Sequence, residues 1–168
     1  MNLDSLKVNA QKEYEANKSF FKKLKKKKPK KLDSLINDFH LKAFDEIDCL
    51  DCANCCKTIS PILYNKDIER LSKFLKIKPS VFFEKYLTID SDGDYIYKEA
   101  PCPFLLSDNY CSVYEYRPKA CREYPHTNRN RFIQLLDLTL KNSFVCPAVF
   151  EIINMLKKSD IIRNKNNR

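Results

Sequence analysis

The sequence predicts an α+β fold, mainly α, with helices around a Cys-rich, loop-rich core that carries one small β-hairpin. Three observations lead there. Apolar residues recur at helical spacing toward both ends of the chain. The single Gly, Gly93, follows Asp92 between two short apolar and aromatic runs, the signature of a hairpin turn. All eight Cys fall in a middle stretch with no clear period. At 168 residues the chain is one ordinary domain with an appended arm, long enough to bury a real core without cross-links.

The elements follow in order. Residues 3–24 read as a helix, with Leu3, Leu6, Tyr14, Phe21 and Leu24 among its apolar positions. The run FKKLKKKKPKK, residues 21–31, holds eight Lys, and Pro29 argues against an unbroken helix through it. Leu32, Leu35, Ile36 and Phe39 then fall at i, i+3, i+4 and i+7, an amphipathic helix reaching about Phe44. Asn65 can cap a helix over 66–77 with Ile68, Leu71 and Leu75 on one face. Pro79 and Ser80 start a short helix over 81–87 bearing Val81, Phe82 and Tyr86. The hairpin spans 86–99, with a two-residue Asp-Gly turn. Residues 101–125 read as a Pro-, Cys- and Tyr-rich loop, and 129–141 as a helix. Pro147 suits the first turn of a last helix, 147–158, with Val149, Ile152, Ile153 and Leu156 inward. The expected organisation is a basic helical hairpin arm over 1–44, a cysteine domain over 45–158 and a basic tail over 159–168.

Charge is unevenly placed. The formal net charge is +9, but residues 1–44 carry +7 and residues 157–168 carry +4, which leaves −2 for the middle. No apolar run reaches the ~18 residues of a membrane span, so no membrane partner is expected. The N-terminal residues have neither a basic n-region nor an apolar h-region. Eight Cys without such a leader point to a reducing compartment, and to metal or redox chemistry before disulfides.

The cysteines are spaced for that chemistry. Cys49, Cys52 and Cys55 are separated by two intervening residues each, and Cys56 follows directly. Two intervening residues let successive thiolates converge on one centre while the chain curls around it. The triple C-x2-C-x2-C also opens the bacterial ferredoxin run, whose last Cys precedes Pro, and here Cys102 and Cys146 precede Pro103 and Pro147. Adjacent side chains usually point apart, so Cys55 and Cys56 suit two neighbouring sites. With Cys102, Cys111, Cys121 and Cys146, the set fits two four-coordinate sites or one multinuclear cluster. Spacing does not distinguish Zn²⁺ from an iron–sulfur cluster. Two filled four-thiolate sites would lower the formal charge from +9 to +5. Buried free thiols are the plainer reading, and four Cys within eight residues weigh against it.

These residues resemble a known family. Cys49–Cys52–Cys55–Cys56, PCPFL at 101–105 and CSVYEYRPKACREYP at 111–125 are similar to the YkgJ-like cysteine cluster family, also described as the CxxCxxCC family. The match covers about 45–150, and all eight family cysteines find a counterpart. The resemblance implies a bacterial cytoplasmic protein that chelates zinc or iron, with no well-established activity. Some members carry an iron–sulfur oxidoreductase label. The lysine-rich arm lies outside the resemblance, and His126 stands where an aromatic residue is expected.

Around the cysteines, Arg117 and Arg122 flank Cys121, and guanidinium groups can donate to sulfurs or pair locally with Glu115 and Glu123. His126 is a further candidate to hydrogen-bond near the site. Cys146 begins a helix, whose N-terminus favours a thiolate. Tyr110, Tyr114, Tyr116 and Tyr124 are placed to wall the site, although ordinary packing would explain them equally well. DSDGD at 90–94 lacks the Gly and Glu positions of a calcium loop. One Gly cannot build a phosphate loop, and two His support no nucleophile set.

Three functions compete. One is metal binding that builds or completes the fold. The second is an iron–sulfur redox protein, which no substrate-site pattern supports, so an enzymatic role stays open. The third is a nucleic-acid or ribosome-associated module, with Lys22, Lys23, Lys25, Lys26, Lys27, Lys28, Lys30 and Lys31 as phosphate contacts. No aromatic residue lies within 22–31, so such binding would be nonspecific, and a solvated connection is the simpler reading of that run.

Overall fold

The structure is a computed structural model and describes residues 3–162. The helices are α1 (Leu3–Lys27), α2 (Leu32–Glu46), α3 (Cys49–Cys52), α4 (Asn54–Thr58), α5 (Asn65–Phe74), α6 (Pro79–Tyr86), α7 (Lys119–Glu123), α8 (Leu136–Asn142) and α9 (Pro147–Lys158). Strands β1 (Leu87–Ile89) and β2 (Tyr95–Tyr97) form an antiparallel pair. Two 3₁₀ turns, Tyr114–Tyr116 and Phe132–Gln134, complete the regular structure of the described residues. The α+β, mainly α expectation holds. These elements fall into two compact units, one of residues 3–48 with 125–162 and one of 49–124.

The first unit is helical. On α1, Leu6, Ala10, Asn17, Phe21 and Leu24 are buried, a stripe at intervals of three, four and seven residues. The helix runs one turn further than periodicity suggests, to Lys27. The helix ends where Pro29 disfavours helical backbone at its predecessor, and Lys28 takes a left-handed φ of 46°. On α2, Leu32, Ile36 and Ala43 are buried. The helix expected over 129–141 is split by Leu135 into a 3₁₀ turn and α8. Asp33 accounts for the turn: its carboxylate accepts from the backbone N–H of Arg131 (2.7 Å) and Phe132 (2.9 Å). On α9, Val149, Ile152, Ile153 and Leu156 are buried as expected, and the helix packs against α1 and α2. Phe132, Leu136, Phe21, Leu24 and Ile36 join them in one core. Each such side chain contributes about 1.5–3 kcal/mol by leaving water. Lys157 binds Glu13 at 2.8 Å and holds its carboxyl below the usual carboxylate range. The basic tail expected over 159–168 lies outside the described residues from 163 onward.

The second unit is smaller in its elements and richer in loops. Helix α5 begins at Asn65, not after it. Its cap is made by Asp67, whose carboxylate accepts the backbone N–H of Tyr64 at 3.1 Å. In the hairpin, Leu87, Thr88 and Ile89 face Tyr97, Ile96 and Tyr95. Its loop is longer than the expected two residues. Asp90 and Asp94 still pair, Gly93 donates back to Asp90, and Gly93 takes φ 85°. That is a turn followed by a left-handed residue, a position glycine fills without strain. Asp90 Oδ1 steadies it by accepting from the N–H groups of Asp92 and Asp94, both at 2.9 Å. Leu63 adds an isolated bridge to Tyr95. Phe104 stands among Phe82, Tyr86 and Tyr97, with ring centroids 5.1–6.3 Å away, and Leu63, Ile68, Leu71, Leu87 and Val113 complete the core. Cys102 and Cys111 pack against that core.

Candidate metal centre

Cys49 and Cys52 lie on α3, and Cys55 and Cys56 lie on α4. Between the two short helices Ala53 adopts φ 44°, and its N–H donates to the Cys49 carbonyl at 2.7 Å. This left-handed residue makes one helical stretch into two and lets the chain curl. The sulfurs of Cys55 and Cys56 lie 3.9 Å apart. The expectation that they point apart fails here, because successive helical residues are separated by only about 100°.

Two hydrogen bonds tie this segment to the second cysteine-bearing stretch. Cys102 N–H donates to the Cys56 carbonyl at 2.8 Å, and Asn109 Nδ2 donates to the Leu50 carbonyl at 2.7 Å. Cys102 and Cys111 sit at the ends of a narrow loop. Leu105 bridges to Cys111, and both the N–H and the hydroxyl of Ser112 donate to the Phe104 carbonyl. Residues 49–56 and 102–111 are thus held side by side.

Cys121 lies on α7, and α5 fixes the start of that helix. Asp67, buried, accepts the N–H of Lys119 at 3.0 Å and pairs with Arg70 at 2.5 Å. Arg70 also donates to the carbonyls of Tyr116 (3.2 Å) and Arg117 (2.9 Å). One acid and one base on a single helix face therefore hold the Arg-Pro-x-x-Cys segment by its backbone. Sequence reasoning passed over both. The available signal was an acid and an arginine three residues apart on the apolar face of α5.

Cys56, Cys102, Cys111 and Cys121 lie within reach of one another's charge. Burial, reinforced by negative charge on Cys56 and on the other thiols of the set, pushes Cys121 up to about 12. Burial pushes Cys102 up to about 11, with Cys56 and Cys111 adding to the rise, and raises Cys111. Cys56 goes the other way, to about 7, because the Cys55 thiol can donate to it and Lys57 is nearby. The Arg117 charge offsets a small part of the rise at Cys111 and Cys121. Among the described residues no three Cys, His, Asp or Glu side chains are already drawn together as a metal-holding group. Protonated thiols have no reason to close on one another. The donor set nevertheless fits a thiophilic ion, being four sulfurs on a tied backbone with a guanidinium close by.

The other predicted residues are placed as follows. Arg117 stacks over the Tyr114 ring at 3.7 Å and donates to the Tyr114 carbonyl, and Arg122 donates to the Arg117 carbonyl at 2.9 Å. His126, with φ 67°, and Cys146, which caps α9, belong to the first unit. Tyr110, Tyr114 and Tyr116 are exposed and do not wall a site; Tyr116 stacks on Phe74 at 4.2 Å instead. The tyrosine whose ring is buried near the thiols is Tyr97, which the sequence reading placed only in a strand. All eight Lys of the 22–31 run are exposed; Lys25 pairs with Asp137 at 2.6 Å and Lys27 donates to the Ile162 carbonyl. Among the described residues no helix is long and apolar enough to cross a membrane.

A loop-rich unit that sets seven free thiols on short helices and tight turns defines a cysteine-rich module. The chain matches the CxxCxxCC family model, described as a "putative zinc- or iron-chelating domain", over residues 48–141, more than half of its length, and it belongs to that family. No curated protein and no solved structure matches it.

Proposed function

We propose that this protein chelates zinc or iron through cysteine thiolates, and that Cys56, Cys102, Cys111 and Cys121 hold one such centre. The observation that carries the reading is the Cys102 N–H to Cys56 carbonyl bond of 2.8 Å. It joins the C-x2-C-x2-C-C segment to the distant cysteines at the positions of two donors. Mutual charge among the four sulfurs supports the grouping, since a bound cation would relieve it. Cys49, Cys52 and Cys55, on α3 and α4, are the donors available in the same unit for a further ion or for a cluster. Arg117 offsets the negative charge of the thiolates. An iron–sulfur cluster on the same sulfurs would supply electron transfer, and the oxidoreductase alternative requires it.

Elemental and sulfide analysis of anaerobically purified protein tests this. Zinc without visible colour assigns zinc thiolate sites. Iron with acid-labile sulfide and absorbance near ~400 nm assigns a cluster. A folded protein with no metal contradicts both. Cys→Ser replacement at each of the eight positions, Cys146 included, then identifies the donors.

A further inference from the structure

Tyr97 stands at the end of β2, opposite Leu87, and only 3% of it is exposed. Its backbone N–H donates to Ser60 Oγ at 2.7 Å, and its ring packs edge-on against Phe104 at 5.7 Å. The ring is therefore fixed from both ends. Its hydroxyl has no hydrogen-bond partner. Buried polar groups are almost always satisfied, so an orphan phenol in a packed core needs a reason. The titratable groups whose charge, once formed, bears on it are Cys102, Cys121, Cys111 and Asp67. Asp67 is already engaged by Arg70 and by the N–H groups of Lys119 and Tyr64. What remains are three thiols, of which Cys102 and Cys111 pack against the same core as the Tyr97 ring; as neutral groups thiols are poor acceptors and as thiolates they are good ones.

We infer that Tyr97 is a positioning residue for the metal centre, its hydroxyl donating a hydrogen bond to a bound thiolate of the set, Cys102 foremost. This rests on the four-thiolate reading above. In the metal-free protein the O–H lacks an acceptor; once a cation holds the sulfurs deprotonated, it gains one. The bond favours the bound state, orients the sulfur and withdraws charge from it.

The test compares Tyr97→Phe with wild type, using Co²⁺ as the probe. Phe keeps the ring against Phe104 and removes only the hydroxyl. Tyr95→Phe, on the same strand, is the control. Three results are expected for Tyr97→Phe. Metal-free thermal stability is equal to or above wild type, because an unsatisfied hydroxyl is gone. Co²⁺ affinity falls about 10- to 100-fold, the usual effect of losing a group that hydrogen-bonds a ligand. The sulfur-to-cobalt charge-transfer band shifts to longer wavelength, because the sulfur lone pairs are no longer stabilised. Tyr95→Phe changes neither affinity nor band. Unchanged affinity and spectrum in Tyr97→Phe overturn the inference. So does a lowered metal-free stability that accounts for the whole loss of affinity, since the role is then structural. If wild type shows no cobalt–thiolate band at all, the four-thiolate reading fails, and this inference with it.

Discussion

In the first unit, the groups that fix the structure are aliphatic and aromatic side chains lying in stripes along α1, α2 and α9, and the core they form includes Phe132 and Leu136. In the second unit, the aromatic core around Phe104 is surrounded by partly exposed thiols and by side-chain-to-backbone hydrogen bonds, accepted by Asp67 and Ser60 and donated by Arg70 and Asn109. A periodic apolar core needs no ligand to be complete. Half-buried thiols with raised proton affinity contribute less to a core than the apolar residues they displace, and they gain most by exchanging protons for a cation. The two units should therefore respond differently to metal.

The largest effect expected is from metal removal. A chelator should abolish the slow amide exchange of residues 49–124 while that of α1, α2 and α9 persists. At a metal level about 1,000-fold above Kd, the lost protection is about 1,000-fold. Equal loss in both units would erase the distinction.

Two substitutions sharpen it from opposite sides. Phe132→Ala should cost about 3–5 kcal/mol in the first unit and leave metal affinity of the second unchanged. Asp67→Asn removes charge from the bonds to Arg70 and Lys119, and should cost about 1.5–3 kcal/mol. It should also weaken metal binding, because α7 carries Cys121. Denaturant unfolding and metal competition read both.

The thiol proton affinities give a pH dependence. Cys102 at about 11, Cys121 at about 12 and the raised Cys111 are protonated at neutral pH, so binding as thiolates releases their protons. Affinity therefore rises with pH, by roughly tenfold per unit for each proton displaced. Cys56, at about 7, releases a proton only below that pH. The slope should steepen by about one proton as pH falls through 7. A pH-independent affinity would contradict these assignments.

The smallest effect belongs to the lysine run. Lys→Gln changes at Lys22, Lys23, Lys26, Lys28, Lys30 and Lys31 should each alter stability by less than about 0.5 kcal/mol and leave metal content unchanged. Lys25 differs by its bond to Asp137, worth up to about 1 kcal/mol.

What sequence could reveal follows the same division. Leu32, Ile36, Ile152 and Leu156 announce their helices because burial there follows the helical period. The cysteine spacing announces the family to which the chain belongs. Asp67, Arg70 and Tyr97 were not legible as parts of a site, because each acts on residues about 5–50 positions away and none belongs to a spacing motif. Nearness in the chain does not discriminate among tyrosines: Tyr97, five residues before Cys102, is buried, whereas Tyr110, directly before Cys111, is exposed. The left-handed Ala53 and Arg131 break helices where no Gly or Pro signals it.

The central claim is that Cys56, Cys102, Cys111 and Cys121 act as one donor set. Alkylation of each cysteine, followed by mass spectrometry with and without a stoichiometric metal, tests it most directly. The account predicts that these four thiols lose reactivity together as metal is added, along a single titration curve. Protection of the four along separate curves, or a Cys121 that reacts at the same rate with and without metal, would contradict it.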